Sequence, residues 1–440
     1  MKRNCFTALI LVGCFAVWTG CARPPVEDPE KMATPGTTEP MAPPGTTEPT
    51  YVARVEPTVG VTTDPSVRYV PMDAPEGTSK AVVVGGHALA YTRQLLPLGA
   101  DGKLIGEGSA EQQLEQVLAD LHKVLAVGGS GMDRLIRVHV SADKPETVGL
   151  VLARLKEKLP DGVRPALSSV VTPLPIAGAL VGIDAVAVSD EDVDAVVLKQ
   201  CEQVAGSPGF ADIAVLPRGG TAYLSGQPDK NPRIEATNNS LDVLMNILEE
   251  LRLSPVAVAQ IKVFVDSAPA ADEVRAEIEK RFPDTLAPPL VFVEWISSAP
   301  IEIELVAALP LDEDSSGTVR FFVPQGVKAS PVFSPVALVE TDRQIFISGL
   351  SSKTAGDGES QIRDIFAQLN EILAETKSDL RHLGKATYYV SDDDASNQLN
   401  KLRPDYYDPK RPPAASKVMI HEVGSPDRSI EIDMTAVVAP

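Results

Sequence analysis

The same helical pattern is written three times in this chain, as EQVLADLHKVLA at 115–126, LDVLMNILEELRL at 241–253 and IRDIFAQLNEILAE at 362–375. Each places apolar residues at i, i+3, i+4 and i+7, the stripe of an amphipathic helix. In the third these are Ile362, Ile365, Phe366, Leu369, Ile372 and Leu373. A short strand follows each helix: LIRVHV (135–140), QIKVFV (260–265) and KATYYV (385–390). A second, weaker helix comes next, then two alternating strands that read as a hairpin, from Arg164, from Ala287 and from Arg411. Val117, Val243 and Ile365 correspond, and their separations of 126 and 122 residues are those of whole domains rather than solenoid repeats.

Each unit therefore reads β-β-α-β-α-β-β, an α+β layer with two helices covering one face of a sheet. The other face also needs cover. In IEIELV (301–306), Ile301, Ile303 and Leu305 lie on one side and Glu302, Glu304 and Val306 on the other. A half-polar face of this kind suits an interface. Three units closing on one another with approximate three-fold symmetry leave no sheet edge exposed.

The N-terminus has the layout of an export signal. MKRN is a short basic start, CFTALILVGCFAVW is apolar, and small residues precede a cysteine. TGC at Thr19–Cys21 and LVGC at Leu11–Cys14 both resemble a lipobox, so the expected lipidation site is Cys21 or Cys14. A lipid-anchored protein of the cell envelope, on a periplasmic or outer surface, is the expectation. Ordinary secretion or an uncleaved anchor is the alternative. Residues 22–64 carry PGTTEP twice, at 35–40 and 44–49, and their Pro/Thr/Glu composition predicts an extended tether. Cys201 is the only cysteine beyond Cys21, which leaves the body without an internal disulfide.

The net charge of −20 opposes a nucleic-acid surface, because phosphates would be repelled. The five histidines, at 87, 122, 139, 382 and 421, form no local pair with ligand spacing. No metal or other cofactor is expected.

Three sets of residues carry a resemblance. YLSGQ (223–227) and IFISGL (345–350) look like one Ser-Gly strand, with TRQLLPLGADGKLIGEG (92–108) as a drifted copy. GIDAVA (182–187), IEIELVA (301–307) and IEIDMTA (430–436) look like one terminal strand. FSP at 333–335 resembles an aromatic lip. Together they resemble the RidA/YjgF family of imine and enamine deaminases, some of them labelled endoribonuclease L-PSP. The resemblance implies three tandem chorismate-mutase-like units, at 65–192, 193–310 and 311–440, behind a signal peptide at 1–21 and a tether at 22–64. Family members are trimers with a site in each cleft between neighbours, so the likeness implies a monomer built as a pseudo-trimer.

The family pocket uses an arginine in a P-A-R-S pattern, whose guanidinium grips the substrate carboxylate with two hydrogen bonds. A glutamate on the last strand helps to position water. Here the arginine position reads Leu167, Leu290 and Ala415, and the glutamate position reads Gly182, Glu302 and Glu431. Losing one partner of a desolvated ion pair costs about 2–5 kcal/mol, or roughly 30-fold to several thousandfold in carboxylate affinity. A non-catalytic small-molecule-binding or scaffold protein is therefore the first expectation. A divergent hydrolytic deaminase with one competent cleft near the third unit is the alternative. For that cleft the candidates are Glu431 as the catalytic acid, with Lys417, Ala415, Asn400, Phe333, Ser348 and Gly349 binding a small carboxylate. Lys417 stands two residues past Ala415 and is the cation expected to replace the arginine. Phe292 beside Leu290 suggests a filled second cleft. Ala415→Arg is expected to do more than the same change at Leu167 or Leu290.

Overall fold

The structure is a computed structural model and describes residues 66–312, 314–327 and 330–440. The predicted signal peptide with Cys14 and Cys21, and the predicted tether, lie outside these residues.

Three stretches of chain follow one element order. The first contains β1 (Val67–Val70), β2 (Ala81–Val84), β3 (Ala88–Thr92), α1 (Ala110–Val127), β4 (Leu135–Ala142), α2 (Pro145–Lys158), β5 (Ala166–Val171) and β6 (Val181–Ser189). The second runs β7 (Val197–Lys199), β8 (Ile213–Leu216), β9 (Gly220–Asp229), α3 (Arg233–Glu250), β10 (Val258–Val265), α4 (Ala271–Glu279), β11 (Leu290–Glu294) and β12 (Ile301–Leu309). The third runs β13 (Val319–Phe322), β14 (Val336–Val339), β15 (Gln344–Leu350), α5 (Gly358–Glu375), β16 (Leu383–Val390), α6 (Asp393–Tyr406), β17 (Ala414–Met419), β18 (Glu422–Val423) and β19 (Ile430–Val437). Three strands, not two, thus precede the first helix of each stretch.

The helices form where the apolar stripe and the caps agree. In α5, Asp357 caps the N-terminus by accepting from the Ser360 amide, and all six apolar residues of the predicted stripe are buried. Ser109 caps α1 in the same way, through the Gln112 amide. One correspondence is corrected. Val243 is exposed, and it is Leu244 beside it that is buried with Leu241 and Leu248 against the second sheet. In α3 the stripe passes through Leu241, Leu244 and Leu248, a spacing of three and four that excludes 243.

The expected hairpins are also corrected. Strands β5 and β6 do not pair with each other; both pair with β4, β5 parallel and β6 antiparallel. The same holds for β11 and β12 on β10, and for β17 and β19 on β16. The helix after the central strand makes a crossover, which brings the next strand back parallel, and the last strand takes the opposite side.

The sheet orders contain an exchange that periodicity does not reveal. The sheets read β1-β2-β15-β19-β16-β17, β11-β10-β12-β9-β14-β13 and β18-β5-β4-β6-β3-β8-β7. Hairpin β1–β2 therefore completes the third stretch's sheet, β7–β8 the first's and β13–β14 the second's. One face of each sheet packs on its own two helices. The opposite faces meet through buried charged side chains together with apolar ones such as Tyr91, Tyr223, Val306 and Phe346, in keeping with the half-polar alternation of 301–306.

Candidate functional site

The polar faces converge on an ionic cluster. Arg137 of β4 reaches Asp433 of β19 at 2.8 Å, and its guanidinium also donates to the carbonyls of Ile347 and Met434. His139 lies between two carboxylates, with Nδ1 2.8 Å from Asp184 and Nε2 2.6 Å from Asp433. Lys385 of β16 pairs with Glu304 of β12. Burial opposes the Asp433 charge, but Arg137, His139 and Lys262 hold its carboxyl well below the usual range. The cavities here are about 10 and 30 Å³, too small for a substrate. The cluster joins sheets; it does not enclose a ligand.

Three interfaces surround it, and two of them repeat one set of bonds. Between the third and first sheets, Ser348 Oγ donates to the Ser79 carbonyl at 2.5 Å and accepts from the Leu167 amide at 2.8 Å. Between the second and third, Ser225 Oγ donates to the Ser334 carbonyl at 2.5 Å and accepts from the Ala415 amide at 2.8 Å. The Ser-Gly pairs stand where the ladder register shifts, on bulges of β15 and β9. Glycine is required there, because a Cβ at Gly349 or Gly226 would collide with the carboxylate of Glu431 or Glu302.

In the third–first interface Glu431 is 2% exposed, accepts from the Ser169 amide at 2.7 Å and has Ser169 Oγ at 3.5 Å. Burial pushes its carboxyl up to about 8, against the bonds from Ser169. Glu431 is therefore mostly protonated at neutral pH, a donor rather than a base. A cavity of about 240 Å³ opens beside it, with Leu167, Ser169, Ser348, Gly349 and Lys80 in its wall.

In the second–third interface burial pushes Glu302 up to about 7, with Ser416 opposing and Glu304 adding to the shift. Phe333 is half-buried beside Ser334, whose amide donates to the Pro413 carbonyl at 2.9 Å. Lys417 turns to α6, where Nζ donates to Ser396 Oγ at 2.9 Å and to Asn400 Oδ1 at 3.2 Å. Burial and the nearby Arg403 lower its pKa.

The third interface is filled. Gln94 takes the place of the Ser-Gly glycine and Gly182 that of the glutamate; a Cβ at Gly182 would meet Leu96 and Gln94 side-chain carbons. Gln94 Nε2 instead donates to Ser141 Oγ at 3.0 Å and to the Phe292 carbonyl at 3.1 Å. The Arg275 guanidinium lies 5.0 Å from the Phe292 ring and 5.9 Å from that of Phe210. Leu290 and Phe292 are both buried.

The seven candidates therefore divide. Glu431, Ser348 and Gly349 face Leu167 and Ser169. Ala415 faces Ser225, near Phe333, while Lys417 and Asn400 bond each other on β17 and α6. The expected convergence of Glu431, Asn400 and Lys417 does not occur, because β16 separates β17 from β19 in the sheet. Lys80, Arg275 and the part played by Gln94 were missed, whereas Gly182 at the glutamate position was read from the sequence. Lys80 had a faint signal as the single cation ahead of AVVV. No group of three or more His, Cys, Asp or Glu that could hold a metal occurs among the described residues. Cys201 is buried and free. No described helix is long and apolar enough to cross a membrane.

Residues 326–438 match the family described as Endoribonuclease L-PSP. The chain thus carries, in its third stretch, a unit of the RidA/YjgF family. No curated protein matches. Among solved structures, a YjgF family member from Neisseria meningitidis is 25% identical over 28% of this chain and 98% of its own, with a TM-score of 0.22. The Rid-family protein YyfB from Yersinia pestis is 22% identical over 28% and 98%, with a TM-score of 0.25. Yeast Mmf1 is 22% identical over 28% and 93%, with a TM-score of 0.21.

Proposed function

We propose that this is an extracytoplasmic, lipid-anchored protein whose body, beyond a signal peptide and tether, is a monomer built from three RidA-like units closed as a pseudo-trimer, and that it binds a small carboxylate without turning it over. The carrying observation is that Leu167 stands at the arginine position of the interface that has both a buried glutamate and a cavity. Leu290 and Ala415 stand at the other two. The units' common element order and the repeated serine bonds support the pseudo-trimer reading. A protonated Glu431 is a poor activator of water at neutral pH, which favours binding over hydrolysis.

A second reading is a divergent ammonia-releasing deaminase. The 240 Å³ cavity against Glu431 favours it, since acid and space lie together. Release of ammonia from freshly generated 2-aminoacrylate separates the two. Wild type is expected to be silent; turnover by it sinks the binding reading. Leu167→Arg, not Ala415→Arg, is the variant expected to gain, because Leu167 is the residue that faces Glu431. It should tighten binding of a small carboxylate by about 30-fold or more.

A further inference from the structure

The third–first cavity has a charge that does not come from the strand pair around it. Lys80 ends the loop that leads into β2, the hairpin strand inserted beside β15. Its carbonyl accepts from the Ser348 amide at 2.9 Å, which fixes the lysine next to the Ser-Gly bulge. The corresponding carbonyl bonds place Pro335 beside Ser225 and Asp212 beside Arg93. A lysine therefore stands at this position in one interface only, the one with the cavity.

The Lys80 ammonium is poorly held. Its side chain is 15% exposed, Gln368 Oε1 is 3.4 Å away and Asp73 Oδ1 is 3.7 Å away. Both are long for charge-assisted bonds, which run at about 2.7–2.9 Å. The other Asp73 oxygen is engaged by Lys353 at 3.0 Å. Of the cavity's lining residues only Lys80 and Glu431 are ionisable. With Glu431 carrying its proton, the cavity has a cationic balance. Val148, Leu152, Leu167 and Pro75 give it an apolar wall, and Ser169 and Ser348 add hydroxyls. Its volume of about 240 Å³ falls below the ~300–1,000 Å³ of drug-sized sites.

We propose that Lys80, presented by the exchanged hairpin, is the residue that binds the anionic group of the ligand in this cavity, and that the ligand is a short aliphatic monocarboxylate. This rests on the binding reading above and adds the residue that makes it specific. The carboxylate meets Lys80 as a point charge, while its short tail lies on the apolar wall.

The test uses the soluble body with butyrate as probe and butyramide as its neutral counterpart, with affinities measured by calorimetry or ligand-observed NMR. Lys80→Met should weaken butyrate about 30-fold or more and leave butyramide unchanged. Lys80→Arg should stay within a few-fold of wild type. Lys417→Met, whose target bonds α6, should bind as wild type does. If Lys80→Met, folded by circular dichroism, binds butyrate as wild type does, the assignment to Lys80 is overturned while the binding reading survives. If wild type binds no butyrate at millimolar concentration, both fall. Equal loss of butyrate and butyramide in Lys80→Met would show a steric role and would also overturn the assignment.

Discussion

At the scale of single residues, the glutamates do opposite work to what their charge suggests. Glu431 and Glu302 are buried next to glycines whose missing side chains make room for them, and burial raises both carboxyls. The ordinary value is 4.5 and the folded value for Glu431 is about 8. Between those values the folded state keeps a proton that the unfolded state has lost, so stability falls as pH rises through this window and levels off above it. Glu302 contributes the same sign up to about 7. Glu431→Gln keeps the acceptor for Ser169 and removes one titration. It should flatten the decline between pH 5 and 9 and gain a few kcal/mol over wild type at pH 9, read from urea unfolding. Parallel pH profiles for the two proteins would contradict the buried, protonated Glu431.

At the scale of elements, the hairpins carry the connectivity. Three short links, 85–87, 217–219 and 340–343, take the chain from one sheet into another. In the first, Gly86 has a φ of +80°, a conformation open to glycine at little cost, and Gly85 lies under Arg343. Hairpin β1–β2 buries Ala81 and Val83 with the α5–α6 core on one face, and Val82, Val84 and Tyr69 on the other. Tyr69 donates to the Leu135 carbonyl at 2.9 Å. Without this hairpin, β15 becomes an edge strand with free amides and carbonyls. Deleting residues up to 86 should therefore expose the β15 edge and favour dimers and larger species that pair through it, as read by light scattering against the undeleted body. A deletion protein that stays monomeric at high concentration would show that the hairpin does not close the third sheet.

At the scale of the molecule, the three sheets are joined through buried charge as well as through apolar contacts, among them Val170, Phe264, Val293, Tyr389 and Val418. Asp433 takes both Arg137 and His139 from the first stretch, and Lys385 of the third takes Glu304 of the second. Such pairs are poor net stabilisers but costly to break singly, because the remaining charge stays buried. Asp433→Asn should lose about 3–5 kcal/mol in chemical denaturation. A loss below about 1 kcal/mol, the range of surface pairs, would mean that water reaches the cluster.

Helix stripes, strand alternation and the Ser-Gly and terminal-strand motifs are local, and the sequence alone determined them: six apolar residues at helical spacing had to be buried, and in α5 all six are. The same reading, through a resemblance, singled out Leu167, Ser348 and Glu431, which the fold brings into one interface. It joined them wrongly, pairing Glu431 with Lys417 because both belong to the last repeat. Neighbouring strands in a sheet, and neighbouring sheets across an interface, need not be neighbours in sequence. Only the tertiary structure decided that β16 stands between those two residues, that Leu167 comes to Glu431 from 264 positions away in the chain, and that Lys80 arrives on an exchanged hairpin. The physical reason is that strand pairing satisfies backbone groups whatever the loop between them, since closing a longer loop costs only slightly more entropy.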